Sequence, residues 1–547
     1  MEVKNLKLVP SREYENFRAS PVAFFCAEYA FNDDFAFAGG LGILASDFIL
    51  QASENGLPLV AIGLWYGGPK NQAGEEYSLL LDNGKPFTVD IPCAGKVIKT
   101  NVWTRYFGKS AVLCLLDTNN QENSPENQAI TNRLYDSNLN YRLEQEIVLG
   151  IGGVRLLENL GIKPKVYHLN EGHTAFAAFE LLARSLKENK TTDLSEALDN
   201  VKKKIVATKH TIFSIAGEVI TKNQLTTLFG PYLADLKLSV DDIFKLGENK
   251  NDPTTFSTTQ FLLNCAGKQN GVSKLHTVAE KIPHPSSILF PITNGIYEKR
   301  WQADFWRIAD QGSEIPDKTA WEVRQKLRER LVHFVKEKTE ALLDPEACTI
   351  VWARRFTAYK RPELLFSDLE RLKRICSGPN KVQFIISGKA HILDVEGLRS
   401  VETIKALAND SAFKNKIVYI EDYSVAVAME LVSGADVWLN TPKRGFEACG
   451  TSGMKAGLNG AVQASVSDGW IDEVDWSGIG FILPVENTDK ALYDVLENEI
   501  IPIFYKKNDA DLPLDWIKRV RLTRNIIKSN FTAKRMLNDY LTKAYIL

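Results

Sequence analysis

A chain of 547 residues exceeds one ordinary domain, so more than one is expected. With 44% hydrophobic and 24% charged residues, it excludes wholesale disorder, and a formal net charge of −2 excludes a general basic field for nucleic acid or an anionic membrane. The seven cysteines include no C-x-x-C pair, which argues against a disulfide framework. No apolar run reaches the roughly 18 residues of a membrane span, and residues 1–10 have no signal-type apolar core. A cytoplasmic protein is therefore expected.

In chain order, Val22–Ala27 is strand-like, and Gly42–Glu54 reads as a helix with Leu44, Phe48 and Ala52 on one face, stopped by Gly56. Leu57–Trp65 and Lys165–Leu169 are strand-like, Thr174–Leu186 is helical, and Ile205–Thr208 adds a strand. Lys187–Lys204 reads as a solvated helix or loop. A boundary is placed near Ile292–Trp301, where the polar turn Thr293-Asn294-Gly295 follows an apolar run. Residues 1–295 and 296–547 are the expected domains. Beyond it come a strand at Thr349–Ala353, a helix at Glu363–Arg374, and strands at Val382–Ser387, Ile417–Ile420 and Asp436–Leu439. The cations Lys518, Arg519, Arg521, Arg524 and Lys528 read as the solvated face of a late helix. Alternation of strand and helix predicts an α/β fold with parallel sheets, two domains across a cleft, and ligands beyond the carboxyl ends of strands.

Five constellations lie at such ends. In Glu447-Ala448-Cys449-Gly450-Thr451-Ser452-Gly453-Met454-Lys455-Ala456-Gly457-Leu458-Asn459, a glycine-rich turn runs into a helix. Free N–H groups there make an anion site, and a lysine in apolar surroundings becomes a competent Schiff-base amine. An ordinary helix cap with a surface lysine fits the same residues. Arg354–Arg361 puts four cations directly after a strand, aimed as a phosphate clamp or simply solvated. Phe37–Ile43 is a second glycine-rich turn without a Walker lysine. His168-Leu169-Asn170-Glu171-Gly172-His173 matches neither zinc-protease spacing, so no metal site is expected, and substrate-orienting polar residues fit better. Lys209-His210-Thr211 says little alone.

Together these segments resemble the glycogen, starch and maltodextrin phosphorylases, and most closely their short bacterial and archaeal branch. The run Glu447–Asn459 looks like the pyridoxal-phosphate attachment signature. The likeness extends in family order through Cys26–Glu28, Gly39–Gly42, His168–His173, Asn270–His276, Thr293–Trp301, Arg354–Arg361, Gly388–His391 and Asp468–Trp470. The resemblance implies two Rossmann-like doubly wound domains facing across a cleft (the GT-B architecture), and an α-1,4-glucan phosphorylase, a glycosyltransferase releasing glucose 1-phosphate with retention. It implies pyridoxal 5'-phosphate held as a Schiff base on Lys455, its phosphate near Arg354, Thr451 and Ser452 with Tyr423 beside it. That phosphate would relay a proton to the substrate phosphate. Arg355, Lys360, Gly40 and Leu41 would face the substrate phosphate, and His210, Asn294, Glu447, Cys449 and Gly450 the terminal glucosyl unit. Partners implied are α-glucan and inorganic phosphate, with neither nucleic acid nor membrane, and a homodimer by analogy. Three departures stand out. Ser424 occupies a position where many members carry arginine, Arg354 one where the long enzymes carry lysine, and Gly67–Gln72 is short, with Ile212 in place of a proline. The alternatives are a nucleotide-sugar glucan synthase, which would carry a lysine before Gly39 where this chain has Phe37 and Ala38, and a catalytically degenerate glucan-binding homologue.

Overall fold

Runs that are apolar at every position cannot expose either face, so they pair as strands covered on both sides, the signature of a parallel sheet. The computed structural model shows this in the central strands of both sheets, describing residues 1–32, 38–67, 76–135, 138–211, 217–281, 288–311, 314–390 and 394–546. Phe37, Ile212, His391 and all of Gly67–Gln72 except Gly67 lie outside the described residues. The chain forms two compact units. The first comprises Met1–Val272, Thr277–Ile292 and Leu537–Leu547; the second comprises Ser273–His276 and Thr293–Met536.

In the first unit the parallel strands Val22–Phe25, Leu59–Leu64, Ala111–Asp117, Val166–Asn170, Ile205–Lys209, Lys268–Gly271 and Phe290–Pro291 make the sheet. Strand Val22–Phe25 lies between Leu59–Leu64 and Val166–Asn170, so the winding reverses beside it. An antiparallel extension, Lys96–Phe107 paired with Thr88–Cys93 and Ser78–Leu79, continues the edge beyond Ala111–Asp117. The sequence reading did not find this meander, whose strands alternate buried and exposed positions.

The second unit has six parallel strands, in spatial order Ile417–Ile420, Val382–Ser387, Cys348–Ala353, Val437–Asn440, Val462–Val466 and Phe481–Leu483. Its winding reverses between Cys348–Ala353 and Val437–Asn440. Each unit is thus a doubly wound α/β sheet, and in such sheets the crevice for ligands opens at the reversal. Asp436, at the start of the fourth strand, is fully buried against the equally buried Arg324 and Arg328.

Strand edges fall within two residues of the sequence expectation, and the helices Gly40–Asn55 and Ala175–Asn189 within three. Three expectations need correction. The helix expected over Glu363–Arg374 is broken: a 3₁₀ turn, Pro362–Phe366, is followed by a separate helix, Leu369–Ser377, whose start Asp368 caps by accepting from the Arg371 N–H at 2.9 Å. The basic stretch does lie on a helix, Leu514–Asn530, but Arg524 is buried. Its guanidinium lies 3.7 Å from the Trp306 ring centre, donates to the Leu458 carbonyl at 3.0 Å and pairs with Asp310. The C-terminal segment from Leu537 belongs to the first unit rather than with residues 296–536. Tyr545 Oη meets His168 Nδ1 at 2.7 Å, and Tyr540 Oη meets Thr208 Oγ1 and Asn270 Nδ2 at 3.1 Å each. All seven cysteines are buried free thiols.

Candidate active site

In the second unit the two turns flanking the reversal are stitched together. Thr441 Oγ1 donates to the carbonyls of Lys360 and Arg361, and Arg361, at φ 45°, donates back to Thr441 and Pro442 carbonyls at 2.8 Å each. This places the cations following Cys348–Ala353 beside the loop following Val437–Asn440. Asp468 Oδ2 accepts the N–H groups of Phe446 and Glu447 at 3.2 and 3.0 Å, and the Trp470 N–H bonds the Cys449 carbonyl. Gly469 is the residue that permits this approach: a Cβ there would stand 2.3 Å from the Cys449 oxygen.

Within that frame Arg354 is buried, and its Nη2 bonds Glu447 Oε2 at 2.6 Å while Lys360 Nζ lies 3.6 Å from the same oxygen. Burial alone would raise the Glu447 pKa, but Arg354 and Lys360 outweigh it and hold the carboxyl below its ordinary range. Burial, reinforced by the neighbouring Arg354 charge and opposed by Glu447, pushes Lys360 down to about 8. Tyr423 is pushed up to about 12 by burial, against the charge of nearby Arg354. Arg355, one residue on, points the other way and is exposed.

The loop ends at Gly450, whose φ of 86° turns the chain into the helix Thr451–Leu458. No side chain caps this helix, so the N–H groups at its start are presented with the positive end of the peptide dipoles, an anion seat. Thr451 and Ser452 are half-buried in its first turn. Lys455 is 5% exposed among Met454, Ala456 and Leu458, and its Nζ stands 4.1 Å from the Trp301 ring centre. The surface-lysine reading therefore fails. Asn459 ties the end of this helix to Trp301, donating to the carbonyls of Trp301 and Lys455 at 2.7 and 3.0 Å. Asn294 is buried, its Oδ1 lacking a hydrogen-bond partner among the described residues and its backbone N–H against the Cys449 thiol.

The residues present fit a phosphate-bearing aldehyde cofactor. Arg354 Nε and Nη1 are buried with no hydrogen-bond partner among the described residues, and such donors call for an acceptor, which a phosphate oxygen would supply. Glu447, the partner of Arg354, stands in the loop that leads into the uncapped helix and its buried lysine.

In the first unit, Gly40 and the half-buried Leu41 open the helix Gly40–Asn55, also without a side-chain cap. Glu28 accepts from the Ala38 N–H at 2.8 Å and occupies the space left by the absent side chain of Gly42. His210, just past Ile205–Lys209, meets Asn170 Oδ1 through Nε2 at 3.0 Å, and its backbone N–H donates to Glu171 Oε1 at 2.5 Å. Both ring nitrogens of His168 are engaged, by Tyr545 and Thr208, so it is not poised as a metal ligand. The first unit thus holds Gly40, Leu41 and His210; the second gathers Lys455, Arg354, Lys360, Glu447, Cys449, Gly450, Thr451, Ser452, Asn294 and Tyr423 around one turn pair. Sequence reasoning assigned no individual role to Trp301, Asn459 or Asp468, and read Glu171 only as one of the substrate-orienting polar residues of His168–His173. All four stood in quoted motifs, but nothing local shows what they touch.

A sheet reversal flanked by cations, an uncapped helix start and a buried lysine define an α/β protein with a candidate anion site. Residues 266–475 match the family model of the carbohydrate phosphorylases. The chain is 34% identical to the glycogen phosphorylase of Aquifex aeolicus, with 97% of this chain and 87% of the relative covered. It is 33% identical to the maltodextrin phosphorylase of Thermococcus litoralis (96% and 70% covered) and 30% identical to the glycogen phosphorylase of Mycobacterium tuberculosis (96% and 70%). The chain belongs to the α-glucan phosphorylase family. Members of this family are generally pyridoxal-phosphate-dependent.

Proposed function

We propose that this protein is an α-1,4-glucan phosphorylase that transfers the non-reducing-end glucosyl unit of a maltodextrin or glycogen chain to inorganic phosphate, with retention at C1. The bond from C1 to the glucan O4 breaks, a C1–phosphate oxygen bond forms, and one proton passes to the departing O4. The products are glucose 1-phosphate and a glucan shorter by one unit.

The observation that carries this reading is Lys455, buried against Trp301 one turn inside a helix with no side-chain cap, which follows the loop whose Glu447 pairs with Arg354. Lys455 would hold pyridoxal phosphate through its amine, with Arg354, the backbone at Thr451 and Ser452, and Tyr423 around the phosphate. When bound, that phosphate would supply a group able to donate and to accept a proton. Two phosphates repel, so the cations must offset the repulsion while leaving a proton to share. Arg354 and Lys360 both reach Glu447 in the loop that leads into that helix, and Arg355 adds charge from the same turn. Glu447, ionised through the neutral range, and Asn294, with its open carbonyl oxygen, suit the hydroxyls of a sugar. Cys449 and Gly450 offer backbone groups beside them. In the first unit, His210 would orient the glucosyl ring, and Gly40 and Leu41 would present backbone N–H groups to the substrate phosphate. The first unit is thereby the glucan- and phosphate-binding domain and the second the cofactor domain.

The test is phosphorolysis of maltose, maltoheptaose and glycogen, read as glucose 1-phosphate. Purified protein is expected to be yellow, with colour that borohydride fixes to the chain. Lys455→Ala is expected to lose both colour and product; a Lys455→Ala variant that retains either sinks the reading.

A further inference from the structure

Glu171 has an outlying backbone: φ 65° and ψ 168°, a region essentially reserved for glycine. A side chain held there is strained, so the surrounding structure must hold it in place. Glycine would fit at no such cost. What the glutamate adds is its carboxylate, and the structure shows where it goes. The Glu171 N–H bonds the Thr208 carbonyl at 2.9 Å, which sets the residue across the end of the neighbouring strand. From there Oε1 accepts the His210 N–H at 2.5 Å. The next residue, Gly172, has no room for a side chain, since a Cβ would come within 2.5 Å of Thr259 Oγ1. The turn therefore cannot relax by moving the strain one residue on.

Two further contacts restrain the same segment. Asn170 holds the His210 ring through Oδ1 and is itself fixed by donating to the Phe25 carbonyl at 2.9 Å. Lys209, immediately before His210, forms a buried ion pair with Glu280. Burial pushes the Glu171 carboxyl up to about 7, and the Lys209 charge limits that rise.

We infer that Glu171 is a positioning residue for His210: its strained backbone aims a carboxylate at the His210 N–H, fixing the imidazole against the glucosyl unit, with Asn170 and the Lys209–Glu280 pair as supports. The inference rests on the phosphorylase reading for the role of His210. It separates cleanly from a merely structural role, because glycine at 171 relieves the strain and removes the carboxylate together.

The experiment compares cofactor-loaded wild type with Glu171→Gly and Glu171→Gln. Glu171→Gly is expected to keep the thermal midpoint at or above wild type and the cofactor absorbance unchanged. Its kcat on maltoheptaose should fall about 10²-fold, the scale of a 1 Å misplacement, with the KM for phosphate within about twofold. Glu171→Gln keeps an acceptor and should restore most of the loss. Wild-type kcat in Glu171→Gly overturns the inference, as does a fall in stability that accompanies the fall in rate. The second readout is the His210 backbone amide proton. It should resonate downfield in wild type and move upfield in Glu171→Gly, and an unmoved resonance also overturns the inference. Wild-type protein that makes no glucose 1-phosphate sinks the phosphorylase reading instead, and the amide shift then still decides the contact with Glu171.

Discussion

Neighbouring residues of one motif take opposite environments. Arg354 is buried and Arg355 exposed because the extended backbone leaving Cys348–Ala353 alternates its side chains. Lys360 sits between these cases, half-buried and close to Glu447. Its pKa is lowered to about 8, so it is an ammonium below that pH and a neutral amine above it. If it helps hold phosphate, kcat/KM for phosphate should fall as pH rises through about 8, because this ratio reports the free enzyme. Lys360→Arg, charged at every accessible pH, should flatten that limb. A wild-type profile level to pH 9 removes Lys360 from the anion site. Ser424 also has a role at this scale. It caps the helix Val425–Gly434 by accepting the Val427 N–H at 3.2 Å. Ser424→Ala should therefore cost about 1 kcal/mol of stability, read as a lower denaturant midpoint with unchanged slope.

At the scale of elements, the site is assembled by turns. The strands only place their own ends; the contacts that bring the Arg354–Arg361 turn to the Thr441–Gly450 loop run through Thr441 and Arg361. The glycine turn was legible in the sequence because Gly450 and Gly453 bracket a helix start. The break in the expected helix Glu363–Arg374 was not legible, although Asp368 is a good capping residue. A cap and a mid-helix acid look alike until the chain direction changes, and here the Asp368 N–H bonds Tyr493 Oη from a later helix. Likewise the apolar periodicity that marked Gly42–Glu54 could not show that the helix begins at Gly40, since glycine carries no pattern.

For the whole molecule, the assignment of the C-terminal segment from Leu537 to the first unit makes that unit depend on residues from both ends of the chain. Tyr540 and Tyr545 complete a buried polar network with His168, Thr208 and Asn270. A chain ending at Met536 would leave several of these groups buried without partners, at about 1–3 kcal/mol each. It should show a thermal midpoint well below that of the full chain, with early protease cuts confined to the first unit. An unchanged midpoint would mean that the network is dispensable.

Read alone, the sequence determined the α/β class and eight of the parallel strands, because short continuous apolar runs bounded by turn residues suit strands covered on both faces. It also determined the glycine-led turn into the helix of Lys455, because that local chemistry belongs to neighbouring residues. Tertiary structure alone decided that Trp301 lies under the Lys455 amine, that Arg524 is buried on Trp306, that Asp468 holds the Glu447 loop, and that Glu171 grips His210. Each of these pairs joins residues on separate elements. Hydrophobic period and turn chemistry act over a few residues, whereas burial and partner choice depend on which distant elements pack together.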